Sequence, residues 1–115
     1  MSEAGIYDTS PLLETLKKNI LPRWKIHKKL VVASVDVNSG QYKTFDESNT
    51  PFEDIPTVIL ASASIPFLFP PTKYQNHVFM DGGTVWNTNL VSAVDKCKEL
   101  GFQEKDVIID IILLN

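Results

Sequence analysis

Apolar residues along the chain alternate between helical and extended spacings. Ser10 followed by Pro11 is a helix-starting pair, and Leu12, Leu13 and Leu16 put one apolar face on a short helix that runs to Asn19 and is stopped by Pro22. Leu30 to Asn38 carries Val31, Val32, Val35 and Val37, which predicts a strand in a half-buried sheet position. Asn38-Ser39-Gly40 supplies turn residues before a second strand, Gln41 to Phe45, so the pair forms a hairpin. Asp46 to Pro56 is polar, contains two prolines and has no consistent period, which predicts a surface loop. Pro56-Thr57 opens a helix through Val58, Ile59, Leu60 and Ala61. Pro66 closes it, because the residue before a proline is pushed out of the helical region. Tyr74 to Met80 contains a short extended segment that leads directly into Asp81-Gly82-Gly83.

Leu90, Ala93, Val94 and Cys97 then recur at helical spacing, with Asn89 able to cap the start, Leu100 at the end and Gly101 at C′. Val107 to Leu114 is almost all apolar, the pattern of a strand covered on both faces in a parallel sheet. Alternating strands and helices predict a single α/β unit with an antiparallel hairpin attached, spanning residues 1–115.

Composition narrows the function. Hydrophobic residues make up 43% and charged residues 22%, ordinary globular usage that suggests neither a disordered nor a fibrous chain. The net charge of -3 lacks the basic excess that phosphate neutralisation needs, which argues against a nucleic-acid partner. Arg23, Lys25, Lys28 and Lys29 form a basic patch, read as a solvated connection rather than a lipid-phosphate site. A single cysteine excludes an internal disulfide, and Cys97 fits a small buried hydrophobe. No basic region followed by an apolar core opens the chain, and Val107 to Leu114 is interrupted by Asp110 and far short of the roughly 20 residues of a membrane span. These features predict a cytoplasmic or peripheral membrane protein. The acidic residues and the two histidines show no ligand spacing, so no metal or other cofactor is expected.

The candidate chemistry lies at Asp81. Aspartate followed by glycine most often marks only a turn. Here an apolar segment feeds it, two glycines allow unusual dihedrals and close backbone approach, and a helix follows. A carboxylate at the carboxyl end of a strand occupies the edge where open α/β sheets bind ligands, which makes Asp81 a candidate general base or orienting group. No histidine follows it, so the acid-then-histidine order of α/β-hydrolases is absent; His27 and His77 read as surface or packing residues. Ser62 and Ser64 lack flanking glycines and sit in a predicted helix, which argues against nucleophilic roles. No Gly-x-Ser-x-Gly and no glycine-rich oxyanion loop occurs in the chain.

Several motifs in order, Gly5-Ile6-Tyr7-Asp8 with Pro11-Leu12-Leu13, then Leu30 to Gly40, then Ala61-Ser62-Ala63-Ser64-Ile65-Pro66 with Phe69-Pro70-Pro71, then Asp81 to Asn87, make nearly the whole chain resemble the patatin-like phospholipases. The resemblance implies a three-layer α/β/α patatin-like fold, of which this chain is the C-terminal portion lacking the nucleophile elbow. It also implies hydrolysis of acyl esters in lipids by a serine and aspartate dyad, with Asp81 as proton acceptor, Gly82 and Gly83 supporting it, and no nucleophile in this chain. The family's serine and oxyanion loop lie upstream of the matching region. The implied substrate is therefore a membrane or lipid-droplet lipid, and the implied partner is the serine-bearing N-terminal portion or a second chain. Family members commonly have Asn-x-Pro where this chain has Asn87-Thr88-Asn89, and Trp86 beside the motif reads as a packing residue. Without a nucleophile the chain alone is expected to hydrolyse nothing. The alternative is a non-catalytic remnant kept to bind lipid or to assemble with partners.

Overall fold

The computed structural model describes residues 6–23, 28–85 and 88–113, so the expectations for Gly5, Lys25, His27, Trp86, Asn87 and Leu114 lie outside the described residues. The first helix, α1, spans Ser10–Ile20, with Pro11 in its first turn. Its start is secured by Asp8, whose carboxylate accepts hydrogen bonds from the Ser10 backbone N–H at 3.0 Å and the Ser10 hydroxyl at 2.8 Å. Those bonds hold the Asp8 carboxyl below the usual carboxylate range. The expected hairpin forms from β1, Val32–Asp36, and β2, Tyr42–Phe45, and Gly40 in its turn has φ 73°.

The second helix, α2, spans Ile55–Ser62, ending before the Pro66 stop. Its sequence is apolar almost all round, the composition of a helix covered on more than one side. It packs on β1 and on two later strands, while α1 packs on α2. Val32, Phe45, Tyr74 and Phe79 from the sheet and Ile55, Val58 and Ala61 from α2 form the core. The Phe45 ring meets Phe79 edge-on at 5.3 Å and Tyr74 at 5.7 Å.

Three expectations change. The extended segment at Tyr74 to Met80 is two strands, β3 at Thr72–Tyr74 and β4 at His77–Asp81, joined by Gln75 and Asn76 at φ 48° and 63°. Two successive left-handed residues make the tight turn whose twist suits a hairpin, here built without glycine. Strand β1 is not half-buried, since Val32, Ser34, Val35 and Asp36 are all buried. It lies inside a four-stranded sheet of order β2-β1-β4-β3, in which every neighbouring pair is antiparallel. The buried parallel strand expected at Val107 to Leu114 is absent from the described residues. Beyond a short turn at Glu104–Asp106, residues 107–113 pair with no strand, and Ile108 and Ile112 are 90% and 89% exposed. The apolar pattern is present, but no described strand borders it to receive its backbone hydrogen bonds. The molecule thus mixes helices with an antiparallel sheet. The third helix, α3, spans Leu90–Glu99 and starts as expected: the Asn89 side chain accepts the Ser92 N–H at 3.1 Å, and Gly101 follows with φ 97°.

Candidate active site

Asp81 is the last residue of β4, and the chain turns there into a 3₁₀ turn, Gly82–Thr84. The Asp81 Oδ1 accepts the Gly83 N–H at 2.8 Å, and the Thr84 hydroxyl donates to the Asp81 carbonyl at 2.9 Å. The carboxylate is therefore oriented by its own turn. Gly82 is needed for space, not for a left-handed backbone: a Cβ there would lie 3.0 Å from the Ala33 carbonyl oxygen and 3.3 Å from the Ser34 Cα.

A longer-range contact joins the two halves of the sequence signature. Asp81 extends past the end of β3, and its backbone N–H instead donates to the Ser64 carbonyl at 2.9 Å. Ser64 is itself locked. Its buried hydroxyl donates to the Leu60 carbonyl at 2.7 Å and pairs with the Thr72 hydroxyl at 2.8 Å. It is a brace between α2, β3 and the start of the Asp81 turn. Just after it, Phe67 has φ 74° and is 73% exposed. The segment 6–7 runs alongside, with Ile6 and Tyr7 donating to the Phe67 and Leu68 carbonyls at 3.1 and 2.8 Å.

Asp81, Gly82 and Gly83 line a groove of about 1410 Å³ at this end of the sheet. Ala33, Tyr42, Ser62, Asn89 and Lys96 are among the residues on its other walls. The Tyr42 hydroxyl is raised above its ordinary pKa by burial, against a hydrogen bond with Asn89 that pulls the other way.

On the groove's wall, Lys96 of α3 is gripped by three carboxylates, Asp46 at 2.7 Å, Glu47 at 2.6 Å and Glu99 at 3.2 Å. The Lys96 hydrogen bond is the main reason the Asp46 carboxyl drops to about 2, and the hydrogen bonds that Lys96 donates to Asp46 and Glu47 push its ammonium well above the usual lysine range. The sequence reading missed this cluster, which brings the neighbouring Asp46 and Glu47 to the i, i+3 pair Lys96 and Glu99 of α3; only that i, i+3 pair is visible in the sequence.

At the opposite end of the sheet, the His77 Nδ1 lies 2.9 Å from the Asp36 Oδ2, and the Asp36 Oδ1 accepts the Asn38 N–H at 2.9 Å. Burial opposes ionisation of Asp36, but these bonds outweigh it and its carboxyl titrates below the ordinary range. His77 is a half-exposed packing partner away from Asp81, as expected. Cys97 is partly buried and unpaired by any disulfide. No group of metal-ligating side chains occurs among the described residues, and none of their helices is long and apolar enough to cross a membrane.

The Asp81 turn, tied to Ser64 after α2, thus opens on the groove at one end of the sheet. The chain belongs to the patatin-like phospholipase family, whose model matches residues 1–94. It is also similar to the probable lipid hydrolase 463L of Invertebrate iridescent virus 6, at 36% identity over 63 residues, 55% of this chain and 21% of that protein. The matched region thus covers about a fifth of that relative's length.

Proposed function

We propose that this chain supplies the aspartate of a serine and aspartate dyad in a lipid acyl hydrolase of the phospholipase A or triacylglycerol lipase type. In this reading Asp81 accepts the proton of a serine contributed from outside the chain, that serine attacks the ester carbonyl of a membrane or lipid-droplet lipid, and water then releases the fatty acid from the acyl-enzyme. The domain is then the C-terminal portion of a three-layer α/β/α fold. The observation that carries the reading is the placement of Asp81: it ends a sheet strand, its Oδ1 is fixed by the Gly83 N–H, and it lines an open groove. A base held in place in this way loses no reorganisation energy at the moment of proton transfer.

The test is Asp81→Asn in the complete native protein. A general base contributes about 10²–10⁴-fold, so kcat for a lipid ester should fall by that factor while the melting temperature stays unchanged. Full activity in that variant refutes the assignment. The exposed apolar residues 107–113 favour a second reading, a patatin-like module kept for assembly with partners or for binding lipid. An active complete protein whose serine labels with a fluorophosphonate decides against it.

A further inference from the structure

We propose that Ser34 is the positioning residue for Asp81, its buried hydroxyl serving as a hydrogen-bond donor to the aspartate's second carboxylate oxygen. The inference rests on the reading of Asp81 as the dyad's base and adds a residue that no part of that reading requires.

Ser34 is completely buried in the middle of β1, and its hydroxyl has no hydrogen-bond partner among the described residues. A buried hydroxyl left unsatisfied costs about 1–3 kcal/mol, so a native chain that retains one calls for an explanation. The β1–β4 register pairs Ser34 directly with Asp81. Opposed residues in a sheet point to the same face, and the register puts both on the face that carries Val32, Phe45 and Phe79 against α2.

The hydrogen-bond pattern makes the pair a close one. Val37 donates to the Val78 carbonyl at 2.8 Å, so Val37 and Val78 form a hydrogen-bonded pair, and alternation makes Ser34 and Asp81 a non-hydrogen-bonded pair. Two other bonds agree. Asp36 donates to the Gln41 carbonyl, which turns the backbone groups of the even-numbered β1 residues toward β2, and the Asp81 N–H points away from β1 to Ser64. In pairs of this kind the Cα atoms approach to about 4.5 Å and the side chains are at their closest.

Asp81 is complementary in chemistry. Its Oδ1 accepts the Gly83 N–H, and its Oδ2 accepts no bond among the described residues. An unused donor and an unused acceptor thus sit opposite each other on one face. Rotation of the Ser34 hydroxyl toward Oδ2 would hold both carboxylate oxygens, fixing the plane of the carboxylate relative to the groove. Gly82 preserves the approach, because a side chain there would meet Ala33 and Ser34 and push the aspartate turn off β1.

The test is steady-state kinetics of the complete native protein on a p-nitrophenyl acyl ester with three variants. Ser34→Ala should lower kcat by roughly ten- to a hundredfold, the scale of a modest misplacement of a reacting group, and leave KM unchanged. Ser34→Thr, which keeps the hydroxyl, should retain most of the rate. In an Asp81→Asn background, Ser34→Ala should cost nothing more, since residues acting as one unit are not additive. Unchanged kcat in Ser34→Ala, or an equal loss in the Asp81→Asn background, overturns the inference while leaving Asp81 as the base. Full activity in Asp81→Asn alone overturns the assignment of the base itself.

Discussion

Gly82 and Ser34 show how tightly the aspartate turn is fitted to β1. An alanine at position 82 would place its Cβ 3.0 Å from a backbone oxygen that cannot swing away, so strand or turn must shift. Gly82→Ala should therefore destabilise the fold by about 1–3 kcal/mol, the usual cost of overpacking, read as a lower urea midpoint; an unchanged midpoint would mean that the turn is free to relax. The sequence made Asp81-Gly82-Gly83 visible as a motif, and of the two reasons it offers for the glycines, close backbone approach is the one that holds at Gly82. Ser34 was invisible. A serine inside a valine-rich strand breaks no pattern, and it gains meaning only when the register sets it across from Asp81.

The elements most legible in advance were those with local signals of their own. Helix α3 has a side-chain cap at Asn89 and glycine at C′, and the β1–β2 hairpin has Asn38-Ser39-Gly40 at its tip. The β3–β4 hairpin was missed because its turn uses Gln75 and Asn76, which carry no glycine or proline signal. The tie that anchors α3 was equally hidden, since Lys96 and Asp46 meet only in the folded chain. That tie makes stability depend on pH. The Asp46 carboxyl falls from 3.8 to about 2 on folding, so its contribution is complete above 3.8 and is lost as pH falls toward about 2. Lys96→Met should accordingly lower the urea midpoint at neutral pH, and the gap from the parent should close across that acid window. A gap that persists at the acid end would show that the lysine stem's packing, and not its charge, matters.

For the molecule as a whole, the least expected feature is its exposed apolar tail, with Ile108, Ile112 and Leu113 at 90%, 89% and 76% exposure. The residues have the composition of a covered strand, and such a segment left unpaired offers backbone donors and acceptors to any neighbour. The 115-residue chain should therefore self-associate, and replacing both Ile108 and Ile112 with lysine should shift its sedimentation toward the monomer. Identical sedimentation of parent and variant would place the association elsewhere. The family assignment was legible because several short motifs kept their order, although each alone marks only a turn, a cap or a helix end.

The most direct measurement is the site and rate of fluorophosphonate labelling of the complete native protein, compared with its Asp81→Asn variant. If Asp81 activates a serine brought from outside this chain, the label falls on that serine and the substitution slows it by about 10²-fold or more. Labelling at Ser62 or Ser64, or a rate indifferent to Asp81→Asn, would contradict the account.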